Sequence, residues 1–107
     1  MGLSVYLRAC RPTVVFESDV THNLTAMADE AGLYDVCWRP EEIGISKANQ
    51  LIKPLSEGIK RLEADPERFK KLNPKNGWGS YDSFLDWLKR YLSACEEFPD
   101  ADVEAYR

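Results

Sequence analysis

The residues best suited to chemistry fall in three short segments: Thr21-His22-Asn23, Trp38-Arg39-Pro40-Glu41-Glu42 and Asn76-Gly77-Trp78-Gly79-Ser80-Tyr81. They hold the single His and two of the three Trp. His22 can donate or accept through its ring nitrogens, or act as a general base. Arg39 carries a planar fork of donors that matches a phosphate or carboxylate. Trp38 and Trp78 offer flat faces for an aromatic ligand, while Asn23 and Asn76 add amides, Glu41 a carboxylate and Tyr81 a phenol. Aromatic surface with a few polar groups that fix orientation is the usual make-up of a small-ligand site.

Each residue also has a plainer reading. Thr21 can cap a helix start, with His22 and Asn23 in a first turn whose backbone N–H groups need partners. Trp38 can plug the core while Arg39 bridges to a carboxylate and anchors a long loop. Trp78, between two glycines, is expected to fill the core from a tight turn. Asn76-Gly77-Trp78-Gly79 lacks both the GxxxxGK[ST] and the GxGxxG pattern, so it is no phosphate loop, although N–H groups before a helix can receive an anion. Adjacent Glu41 and Glu42 rarely converge on one cation, and one His with no CxxC pair makes structural zinc improbable; no metal or other cofactor is expected. A Cys37–His22 nucleophile pair needs close approach and an orienting group, and the default for Cys37 is a buried thiol. No residue is assigned a catalytic role.

The elements that must hold these segments can be read from periodicity. Leu3, Val5, Leu7 and Ala9 alternate with Ser4, Tyr6, Arg8 and Cys10, the pattern of a half-buried strand. Arg11-Pro12 interrupts it, and residues 13–17 read as a second strand of an antiparallel hairpin. After Asp19-Val20 the period becomes helical through Leu24, Met27, Ala28 and Ala31, with Gly32 at the C-terminal cap. Residues 34–45 show no period and read as an ordered loop. Ser46 is expected to open a helix with Ala48, Leu51, Ile52, Leu55, Ile59 and Leu62 on one stripe, kinked or broken at Pro54. Asp65-Pro66 ends it, one or two further turns follow, and residues 73–77 are dense in turn formers. Ser80 caps a last helix with Tyr81, Phe84, Leu85, Leu88, Leu92 and Cys95 buried. Trp87 and Tyr91 lie beside that stripe, either as a half-exposed edge where a protein partner can dock or packed under a loop. Residues 102–107 alternate weakly and can add a third strand to the hairpin. The expected fold is α+β, a small antiparallel sheet packed against three main helices, in one domain over residues 1–107.

Composition narrows the partners. A net charge of −4 with mixed signs argues against a nucleic-acid backbone and against an anionic membrane surface. No apolar run is long enough to span a bilayer, and Met1 to Tyr6 lacks the charged and apolar regions of a signal peptide. Three widely spaced cysteines fit reduced thiols in a cytoplasmic protein.

Five stretches taken together resemble a known family. They are Thr21-His22-Asn23-Leu24 with Met27-Ala28, Ala31-Gly32-Leu33-Tyr34, Trp38-Arg39-Pro40-Glu41-Glu42, Asn76-Gly77-Trp78-Gly79-Ser80-Tyr81, and Tyr91-Leu92-Ser93-Ala94-Cys95. The family consists of small uncharacterised proteins of bacteria and some of their phages. The likeness runs from about Val20 to the last residue, with a less distinctive strand pair before it. It implies a stand-alone cytoplasmic domain with the three segments as its hallmark, and it carries no activity or catalytic role. The leading expectation is a non-catalytic binding protein for a small anionic or aromatic, nucleotide-like metabolite. The alternative is an interaction or inhibitor module using an acidic surface and the Trp87–Tyr91 edge; a small enzyme using His22 is the minority reading.

Overall fold

Leu3, Val5 and Leu7 are fully buried while Ser4, Tyr6 and Arg8 between them are not, so the first strand keeps one face in the core and one in water. In the computed structural model, which describes residues 2–9 and 13–107, this strand is β1 (Gly2–Ala9). The expected interruption at Arg11-Pro12, and Cys10, lie outside the described residues. β2 (Thr13–Thr21) pairs antiparallel with β1, from Gly2 opposite Thr21 to Ala9 opposite Thr13. The register slips between Leu7 and Arg8, leaving Val15 as an extra residue. The C-terminal strand β3 (Asp102–Tyr106) pairs with the other side of β1, giving the order β2-β1-β3. The third strand thus joins the hairpin as the alternation suggests.

A 3₁₀ turn (His22–Leu24) leads from β2 into α1 (Thr25–Glu30). Residues 34–45 are not the plain loop expected. They form α2 (Tyr34–Trp38) and a second 3₁₀ turn (Pro40–Ile43), each too short to show a period in sequence. The long helix α3 (Asn49–Ala64) starts three residues after Ser46, because the Gln50 side chain accepts from the backbone N–H groups of Ser46 and Lys47 and holds them outside it. α3 runs unbroken through Pro54. The missing ladder bond falls near its start, and Leu51, Leu55, Ile59 and Leu62 remain buried along one stripe. α4 (Pro66–Lys70) adds a short turn, and α5 (Tyr81–Glu97) follows.

α3 and α5 pack on each other, and α5 also lies against β2, where Tyr91 stacks on Phe16 at 5.8 Å. At Gly58, α3 comes so close to Leu33 that an added Cβ would sit 2.4 Å from a leucine methyl. Asn49 and Ala48 donate to the carbonyls of Pro99 and Ala101, tying the start of α3 to the approach of β3. The result is an α+β domain with helices on one face of the sheet and the other face open. No helix among the described residues is long and apolar enough to cross a membrane.

Candidate functional site

At the end of β2 the Thr21 hydroxyl accepts from the backbone N–H of Asn23 at 3.2 Å and from its side-chain amide at 3.0 Å. That is a cap of the expected kind, and Leu24 drops into the core behind it. The capped turn aims His22 at the second segment. Its Nδ1 accepts from the indole N–H of Trp38 at 2.9 Å. Trp38 is only 1% exposed, and a buried indole N–H needs an acceptor. His22 supplies it, which puts the proton of the neutral ring on Nε2. Tyr34 stacks on Trp38 at 5.8 Å and Phe84 lies 6.4 Å away. The Trp38 rings are therefore core surface.

Arg39 and Glu41 are also engaged. Arg39 donates from Nε to the Tyr34 hydroxyl at 3.2 Å and forms an ion pair with Glu42 at 2.7 Å. Those two bonds, with Tyr34 the larger influence, raise its pKa further above the ordinary arginine value. Glu41 pairs with Arg107 at 2.6 Å, which lowers the Glu41 pKa. The same guanidinium donates to the Trp38 carbonyl at 2.8 Å, so the second segment is tied down to the C-terminal residue. Tyr81 is buried, with its hydroxyl donating to the Leu62 carbonyl at 2.7 Å and joining α5 to α3.

The third segment departs most from expectation. Trp78 is not a core plug; it is 69% exposed. The Asn76 side chain accepts from the Trp78 N–H at 2.9 Å, forming a local turn that starts the loop. Gly77 and Gly79 both take positive φ. Gly79 presses against β2 and the first turn, where an added Cβ would lie 2.8 Å from the Thr21 methyl and 3.0 Å from Leu24. Ser80 and Ser83 then close a capping box at the start of α5. The Gly79 backbone thus packs on Thr21 and Leu24 while the Trp78 side chain stands in water.

Thr21, Asn23, Asn76 and Trp78 line one cleft of about 500 Å³, together with Gly2 and Asp19. The first and third segments therefore meet at one cleft. The second meets the first only through the core, by the His22–Trp38 bond, and neither Arg39 nor Glu41 lines the cleft. Asp19 is the cleft residue that sequence reasoning missed. Strand alternation carried the signal, since Asp19 pairs with Ser4 on the outer face of the sheet. The Ser4 hydroxyl donates to Asp19 Oδ1 at 2.6 Å and orients the carboxylate.

Two further expectations need correction. Trp87 and Tyr91 form no half-exposed edge; they are 3% and 0% exposed. β2 covers α5 on the side beyond the expected stripe, with Phe16 on Tyr91, and Phe84 stacks on Trp87 at 6.3 Å. Cys37 is fully buried and desolvation pushes its thiol well up, so it is held protonated, the opposite of an activated nucleophile. Among the described residues, no three of His, Cys, Asp and Glu cluster as metal ligands would.

No family model, curated protein or solved structure matches the chain.

Proposed function

We propose that this chain is a cytoplasmic, non-catalytic binding protein whose ligand lies in the Trp78 cleft with a flat group against the indole. One observation carries the reading: a large aromatic side chain is held out in water by a built turn, over a concave surface with converging polar groups. Exposed tryptophan costs solubility and contributes little to a core, and stacking on a ligand makes use of it. The flat part of the expected ligand therefore stays. The anionic part loses its support, because Arg39 is engaged elsewhere and the charged side chain lining the cleft among the described residues is Asp19. Support for a non-catalytic role comes from His22, whose Nδ1 is taken up by Trp38, and from the protonated Cys37 thiol. Kinship with the small bacterial and phage proteins belongs to the same proposal, and it names no ligand.

Native mass spectrometry on untagged protein from its own host tests this. The expected result is a reproducible small adduct that Trp78→Ala removes and Arg39→Ala retains, with both variants folded. An adduct that survives Trp78→Ala, or a chain that carries none, overturns the assignment of this cleft.

A further inference from the structure

We infer that the group this cleft accepts is a guanidinium. The inference rests on the cleft being the ligand site and adds the chemistry of what enters it. Three arginines of the fold show the pattern. Arg8 lies 5.5 Å from the Tyr6 ring centre and 2.9 Å from Glu104. Arg39 lies 6.0 Å from the Tyr34 ring and pairs with Glu42. Arg68 lies 5.4 Å from the Phe69 ring and pairs with Glu30. Each time an aromatic ring attracts the planar cation and a carboxylate binds its N–H groups.

The cleft brings together the same two elements, the indole of Trp78 and the carboxylate of Asp19. Among the described residues no Lys or Arg lines it, and Asp19 has no ion-pair partner there. Indole is the strongest of the three aromatic rings for a cation. The remaining polar groups can accept from such a ligand. Asn23 places one amide N–H on Thr21 and keeps its oxygen as an acceptor, and the Asn76 oxygen has a second lone pair beyond its bond to Trp78, while both amides retain a further N–H. An anion would meet the like charge of Asp19. An ammonium would satisfy Asp19 but has no flat face for the indole, whereas a guanidinium has both the plane and five donors. The cleft's volume of about 500 Å³ is ample for an arginine-sized group.

A guanidinium can come from a free metabolite or from an arginine side chain of a partner protein, and the test separates them. Titrations followed by amide NMR shifts would use L-arginine, a capped Gly-Gly-Arg-Gly-Gly peptide, and L-citrulline, L-lysine and L-glutamate as controls. The expected result is shifts confined to the cleft, with citrulline and lysine binding about tenfold more weakly than arginine. Asp19→Asn should weaken arginine binding by a similar factor, and Trp78→Ala should abolish it while the rest of the spectrum holds. Tighter binding of the peptide assigns the group to a protein partner, and tighter binding of free arginine to a metabolite. Citrulline or glutamate binding as well as arginine, or an unchanged affinity in Asp19→Asn, overturns the inference. So does a Trp78-dependent host adduct without a guanidinium, which leaves the cleft assignment standing. If arginine shifts nothing and the host protein carries no Trp78-dependent adduct, both fall.

Discussion

At the scale of single residues, the His22–Trp38 bond decides what the one histidine does. A buried indole N–H without an acceptor retains its full desolvation penalty, whereas the bond itself is worth less. Replacing His22 by Ala should therefore lower stability by about 1–3 kcal/mol, seen as an earlier midpoint in urea. Adding Trp38→Phe should cost less than the sum of the two single changes, because the orphaned donor has gone. A midpoint unmoved by His22→Ala would show that the bond contributes nothing. Sequence reveals a histidine at a capped turn, since Thr21 is local. It cannot reveal that the ring's partner is an indole sixteen residues on. Trp78 teaches the same lesson in reverse. Asn76 and the flanking glycines spell out a turn, but which way the side chain points depends on Gly79 meeting Thr21 and Leu24 from another element.

Among the elements, the loop before α5 is held by contact at its glycine. At Gly79, with φ of 95°, a side chain would be strained and its Cβ would press on the Thr21 methyl at 2.8 Å. Gly79→Ala is expected to cost about 1–3 kcal/mol in thermal or urea unfolding and to displace Trp78, so that binding at the cleft is lost together with stability. Unchanged stability and unchanged NMR shifts at Thr21 would refute the packing argument. The long helices were legible because their periods are long enough to read, and the strands because β1 alternates without interruption. α2 and the turn after it were not, since five- and four-residue pieces owe their shape to Trp38 in the core and Arg107 holding its carbonyl. The buried arc of α5 is also wider than its stripe suggested. One side meets α3 and the other meets β2, and no single-helix pattern contains that second neighbour.

Across the whole molecule, burial also sets how the fold responds to alkali. Cys37, Cys95 and the Tyr91 hydroxyl lie in the interior, and desolvation raises all three. An unfolded thiol ionises near its ordinary value of 9.0, while in the fold Cys95 is pushed up to about 12. Between those values the native chain keeps protons that the unfolded chain loses, so rising pH favours unfolding. Stability should be full below about pH 9 and fall as pH climbs towards 12, read as urea midpoints across that interval. A Cys37→Ala/Cys95→Ala variant should show a flatter dependence, and an equal slope in both proteins would remove the thiols from the account. The three tryptophans divide as sharply as the two faces of the sheet. Trp38 and Trp87 are sealed inside, and Trp78 stands 69% exposed at the mouth of the cleft. Native fluorescence thus has two origins, a shielded pair whose emission follows the integrity of the core and one lamp at the door of the site. A soluble quencher reaches only the second, so the chain carries its own reporter for the proposed occupancy without a dye or a label.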